Sequence, residues 1–252
     1  VDAAGRTSLP LPSGEDVHLL RSGWCHELPG DRFMWVHSRG SRRRPNGLIM
    51  LPTGKIERRI FLGDGISSLQ AAPSGNIWAG YFDEGLFGNE GWLHPNGGVG
   101  IVALDDHGTA IYQCTDLRPH NLPSMTDHCR VNVIGDDEAW YLYEHRWRHP
   151  WPVIAVHPAG IRHVGDLKEE GYWYFAVGRS LLLTVNVFAR PHGLHLFRLP
   201  AHSPWARLAE CAIQSPEGQL VAGEAYAVRG SMLWVLAGGM IYGIDVDAIG
   251  LP

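Results

Sequence analysis

The chain has 252 residues, 45% of them hydrophobic and 19% charged, with a formal net charge of −5. Its 31 glycines and 17 prolines make about a fifth of the residues, too turn-rich for a helical bundle and below the proportion of disordered chains. Apolar runs fall short of the roughly 18–20 residues of a membrane-spanning helix, and a net negative charge argues against general nucleic-acid affinity.

In chain order, the sequence repeats one unit five times. A short apolar run is followed by a Gly- or Asp-containing turn and a second apolar or aromatic run. The five instances are VHLLRSG…LPGDRFMWVHSR, ISSLQAAPSGNIWAGYFD, CRVNVIGDDEAWYLYEH, YWYFAVGRSLLLTVNVF and AYAVRGSMLWVLAGG. A third run follows each: GLIMLPTGK, GIVALDDHG, PVIAVHPAG, GLHLFRLPAHS and MIYGIDVD. The first four instances add a fourth run, in IERRIFLG, TAIYQC, IRHVGDL and PWARLAE. Runs of this length, rich in β-branched and aromatic residues and bounded by turn residues, read as strands.

Trp35, Trp78, Trp140, Leu181 and Trp234 mark corresponding points of the second strands, at an average spacing close to 50 residues. A lone four-stranded meander cannot bury both of its faces, whereas radial repetition buries them all. The sequence therefore predicts an all-β, five-bladed β-propeller of four-stranded antiparallel blades in one domain spanning 1–252, six blades being the alternative count. The fifth unit lacks a fourth strand. The opening VDAAGRTSLPL matches the turn-and-strand form of LDDHGTAIY, so Arg6–Leu11 is expected to supply that strand and close the ring.

The second strand GNIWAG (Gly75–Gly80) and the third strand ALDDHG (Ala103–Gly108) resemble those of the WD-, NHL- and streptogramin-lyase-like propeller superfamily. The stretch Gly80–Trp92 is similar to one in uncharacterised bacterial propellers. The resemblance implies architecture and no particular activity.

Loop lengths select one end of the fold. With strands labelled a to d along each blade, a–b and c–d turns share one end and b–c and d–a loops the other. The a–b and c–d turns are short, except that Trp24–Asp31 reads as a longer first turn. The b–c loops RGSRRRPN, DEGLFGNEGWLHPNGG and EHRWRHPW are long, as is the d–a loop Thr115–His128. Long loops in a compact domain carry function more often than strands do.

That end offers Asp83, Glu84, Asn89 and His94 from blade two. Blade three offers Asp127, His128, Glu144, His145, Arg146, Trp147, Arg148 and His149, and blade four offers Arg190 and His192. Carboxylates beside imidazoles suit acid–base chemistry, and Arg forks suit anions. Glu84 is the candidate acid or base, with His145 or His128 as its partner. Asp83, Asp127, Arg146, Trp147, His149, Arg190 and His192 are the candidate ligand-binding residues. Trp147 and Trp151 either cover blade edges or form a recognition platform. The basic run Arg42–Arg44, with Arg39, Lys55, Arg58 and Arg59, reads as a solvated loop. His145 and His149 read as surface or packing histidines; no metal site and no cofactor is assigned.

There is no G-x-S-x-G elbow, Walker loop, Rossmann glycine pattern, H-E-x-x-H or EF-hand loop. The expected function is binding of a small polar or anionic molecule, or a peptide segment, at the long-loop face. The alternatives are a hydrolase, lyase or isomerase using a carboxylate–His pair there, or a protein-interaction scaffold. Cys25, Cys114, Cys129 and Cys211 form no C-x-x-C pair and are expected to be free thiols of a cytoplasmic protein. A monomer with no nucleic-acid or membrane partner is expected.

Overall fold

The structure, a computed structural model, describes residues 23–41, 44–88, 98, 100–114, 117–145, 150–168, 171–188, 193–199, 205, 207–215 and 217–250. Alternating apolar strands punctuated by Gly and Asp turns produce five antiparallel meanders, and the fold is a five-bladed β-propeller. The chain divides into two compact units, Val1–Asp116 and Leu117–Pro252.

The first unit holds two blades. Blade one comprises β1 (Trp24–Leu28), β2 (Arg32–Val36), β3 (Gly47–Met50) and β4 (Ile56–Ile60). Blade two comprises β5 (Ile66–Ala71), β6 (Ile77–Tyr81), β7 (Ile101–Leu104) and β8 (Ala110–Cys114). A short helix, α1 (Asp83–Phe87), follows β6.

The second unit holds three. Blade three is β9 (Asp127–Val133), β10 (Ala139–Glu144), β11 (Trp151–His157) and β12 (Gly160–Leu167). Blade four is β13 (Tyr172–Val177), β14 (Leu181–Asn186), β15 (Gly193–Arg198) and β16 (Arg207–Cys211). Blade five has three strands among the described residues: β17 (Ala225–Arg229), β18 (Met232–Ala237) and β19 (Met240–Asp245). The expected closing strand, Arg6–Leu11, lies outside the described residues.

Blade one departs from the sequence expectation in its first strand. Trp24–Leu28 is itself β1, paired with β2 from Trp24 opposite Val36 to Leu28 opposite Arg32, so the long first turn shrinks to Pro29–Asp31. Gly30 and Asp31 have φ of +77° and +53°, a left-handed pair that reverses the chain tightly enough for WCHEL to pair.

Central strands are apolar on both faces because blades cover them on both sides. In β11 the first six residues are buried, while outer β12 alternates toward solvent. Trp140, Leu142, Trp151, Phe175, Phe197 and Trp205 fill the space between blades three and four. Leu181, Leu183, Leu194, Leu233, Val235 and Val246 do so between blades four and five. Trp151 is thus core packing, the edge-covering alternative of the sequence reading.

One buried asparagine staples each unit, Asn46 just before β3 and Asn132 within β9. Asn46 donates from Nδ2 to the carbonyls of His37 and Gly63 at 3.0 and 2.7 Å and accepts from the Leu62 N–H at 3.0 Å. Asn132, 0% exposed, donates to Phe175 O and Gly230 O at 2.8 and 2.9 Å. Its Oδ1 accepts from Gly230 N at 2.7 Å, so one side chain joins blades three, four and five.

Candidate functional site

Blade three presents a buried, polar cluster at the end where β9 begins and β10 finishes. Asp127 opens β9 and Glu144 closes β10, and the antiparallel register sets them opposite each other. The register shifts between Leu142 and Glu144, a bulge that inserts an extra residue on β9. Bulges re-aim side chains, and here His128 follows Asp127 with φ +41°, a left-handed conformation that a residue with a Cβ rarely adopts. Asp127, His128 and Glu144 each bring a ligand-type atom within 4.8 Å of the others. Both carboxylate residues are almost fully enclosed, Asp127 at 5% and Glu144 at 3% exposure.

Local bonds hold this arrangement. Asp127 Oδ1 accepts the N–H of His128 at 2.7 Å, and its Oδ2 faces His128 Nε2 at 3.6 Å. The preceding loop is pinned to β10: Thr126 N donates to Glu144 O at 3.0 Å, and the Tyr143 hydroxyl donates to Pro123 O at 2.9 Å. His145 Nδ1 lies 2.7 Å from Ser124 O and donates to that carbonyl.

Below the cluster, the Arg130 guanidinium stacks 4.1 Å over the Trp173 ring, whose other neighbours include His128 and Phe188. Burial is the main influence on His128 and holds its imidazole below the ordinary value. Asp127 pulls the other way, and Arg130 adds to the decrease. A neutral imidazole between two enclosed carboxylates can accept a proton, accept a hydrogen bond or ligate a metal ion.

In the first unit, Glu84 lies in α1 and pairs with Arg39, Nη1 to Oε1 at 2.9 Å. Arg39 also binds Asp64 through Nε at 3.1 Å and stacks over Phe82. Hydrogen bonding with Asp83, then with Arg39, holds the Glu84 carboxyl below its usual range. Asp83 Oδ1 accepts the Glu84 N–H at 2.8 Å. These contacts make Glu84 a bound anion tying two loops of its unit together.

Other arginines of the basic run are likewise engaged. Arg58 reaches Asp106 Oδ1 at 3.0 Å, while Arg32 takes Oδ2 at 2.6 Å. Arg42–Arg43 lie outside the described residues, as do Asn89, His94, Arg146, Trp147, Arg148, His149, Arg190 and His192.

Of the candidates, the structure brings Asp127 and His128 together and adds Glu144 to them. The sequence places Glu144 at the long-loop end but gives no sign that it meets Asp127, because that contact depends on the bulge. Arg130 and Trp173 carry no motif at all; their pairing arises from the packing of β9 against β13. All four cysteines are free.

No protein-family model matches the chain, and no curated protein does. Among solved structures, the chain is similar to hydrazine synthase of Kuenenia stuttgartiensis. That likeness has 12% identity and a TM-score of 0.50, over 88% of this chain and 64% of that one, so the chain spans less than two thirds of its length. A gluconolactonase from Xanthomonas campestris aligns with 14% identity and a TM-score of 0.48, over 87% of this chain and 70% of that one. An auxiliary nutrient binding protein from Bacteroides ovatus aligns with 11% identity and a TM-score of 0.44, over 88% and 56%. At such identities a likeness concerns the fold alone.

Proposed function

We propose that the chain is a binding propeller that holds a small polar molecule at the long-loop end of blade three. The observation that carries this reading is the convergence of Asp127, His128 and Glu144 beside the 117–126 loop. Enclosing two carboxylates costs several kcal/mol each unless partners offset the lost hydration. A fold stabilised by packing alone has no use for them at a strand end, whereas a site for hydroxyl, amine or metal-bound ligands does. The four free thiols support a cytoplasmic setting. Among the described residues, no helix is long and apolar enough to cross a membrane.

A thermal-shift screen of polar metabolites tests the reading. A ligand at 100 times its Kd stabilises by about 2.7 kcal/mol, a rise of several degrees that Asp127→Asn should abolish. A hit whose shift survives Asp127→Asn and Glu144→Gln would place binding elsewhere. Catalysis is the second reading, favoured by the neutral imidazole of His128 beside two carboxylates. It predicts that His128→Ala removes turnover while ligand-induced stabilisation remains.

A further inference from the structure

We propose that Asp127, His128 and Glu144 bind a divalent cation of the zinc class, with a coordination position left for an oxygen of the polar ligand. The inference rests on the reading of this end of blade three as the binding site, and it specifies how that site grips its ligand.

Three observations meet here. The first is the donor set: two carboxylates and an imidazole, a mixture suited to Zn²⁺ and its first-row neighbours, rather than the all-oxygen cage of Ca²⁺ or Mg²⁺. The second is spacing. Metal–ligand bonds of about 2.0–2.2 Å put tetrahedral ligand atoms about 3.4 Å apart. The Asp127 Oδ2 to His128 Nε2 separation of 3.6 Å already fits this, and Glu144 lies within 4.8 Å, close enough to join by side-chain rotation. The third is enclosure: Asp127 Oδ2 faces His128 Nε2 at 3.6 Å, longer than a hydrogen bond, on a side chain only 7% exposed. An enclosed carboxylate oxygen aimed at an imidazole nitrogen and a second carboxylate is where a cation of charge +2 balances the charge of the donors.

The positioning of the ligands is built into the chain. The left-handed backbone at His128 and the bulge opposite Tyr143 bring two neighbouring residues of β9 and the last residue of β10 to one point. A site of this kind is open: three protein ligands leave the fourth position of a tetrahedral ion to a hydroxyl, carboxylate or water oxygen.

The test is isothermal titration of the full chain with Zn²⁺ after treatment with and removal of EDTA, together with Co²⁺ absorption spectroscopy. One ion per chain is expected, with Co²⁺ giving the intense visible bands of a tetrahedral site. Asp127→Asn and Glu144→Gln, near-isosteric changes, should each weaken Zn²⁺ binding at least tenfold. His128→Ala should shift or abolish the Co²⁺ bands. Absence of binding at 100 µM Zn²⁺, or binding that all three variants retain, overturns the proposal. A variant that fails to fold does not shield it, because the Co²⁺ spectrum of the unaltered chain must still be tetrahedral with one nitrogen donor. The two readings separate cleanly. A metabolite whose thermal shift persists in EDTA and is lost in Asp127→Asn leaves the binding site standing and removes the metal. A metabolite whose shift requires Zn²⁺ supports both.

Discussion

Replacing Asn132 by alanine should destabilise the second unit more than any other single polar truncation within it. The side chain makes three hydrogen bonds at 2.7–2.9 Å to two other blades, one to Phe175 and two to Gly230, in a position with no exposure to water. Each such bond contributes about 1 kcal/mol net, so their loss totals about 3 kcal/mol. Gly230 keeps some satisfaction after the change, since its N–H also reaches Val133 O at 3.2 Å and its carbonyl also accepts from Val177 N at 2.8 Å. That remaining bonding keeps the loss near the sum of the bonds rather than above it. For a unit of this size the melting temperature should fall by about 6–12 °C. Asn132→Asp is the sharper probe, because it places an anion against the carbonyls of Phe175 and Gly230. It should be less stable than Asn132→Ala at neutral pH. The buried carboxyl has a raised pKa, so the variant should recover as pH falls and the added acid becomes a donor. Thermal and urea unfolding followed by circular dichroism would measure both. A fall under about 2 °C for Asn132→Ala, or no recovery of Asn132→Asp on acidification, would refute the staple.

In the first unit, Asp106 is held below its ordinary value chiefly by the hydrogen bond from Arg32, with Arg58 adding to the effect. A depressed carboxyl stabilises above its unfolded pKa and loses that contribution as pH falls through the folded one. The stability gap between the unaltered chain and Asp106→Asn should therefore be full at pH 6–7, about 1 kcal/mol for part-exposed pairs, and close below about pH 4. A gap unchanged at pH 3 in urea titrations would contradict this. Gly65→Ala should cost roughly 2–4 kcal/mol, because φ is +69° and an added Cβ would sit 2.4 Å from the Gly85 backbone nitrogen. Gly135→Ala, whose added Cβ meets nothing within 4 Å, should leave the melting temperature within about 1 °C, and equal effects of the two would overturn the close-approach argument.

The blades were legible because their signals are local. GNIWAG and GDDEAWYLY carry turn and alternation within a dozen residues, and the structure pairs these strands as the periodicity requires. WCHEL was not legible as a strand, since His26 and Glu27 break its apolar pattern and only the left-handed pair at Gly30–Asp31 makes the hairpin short. At the site, Asp127 and His128 stood out through the length of their loop. Their meeting with Glu144 did not, because it depends on a register shift that no residue pattern announces. Asn132 left a faint trace, a polar residue inside the apolar CRVNV. The carbonyls it satisfies lie on strands distant in sequence, and backbone acceptors leave no mark in side-chain patterns.

The reach of Asn132 also bears on how the chain folds as it is made. Asn132 and Gly230 are separated by 98 residues. At 5–20 residues per second, the ribosome takes about 5–20 s to travel that distance. Blade three can form its own hairpins during that interval, but the amide in its first strand has no Gly230 carbonyl to meet. Asn46 differs: its partners His37, Leu62 and Gly63 all emerge within 17 residues of it. The first unit can therefore set during synthesis, whereas the second stays incompletely bonded until the turn after β17 has left the tunnel. A pause or truncation between residues 132 and 230 would leave exposed the inner strand of a blade that is otherwise complete.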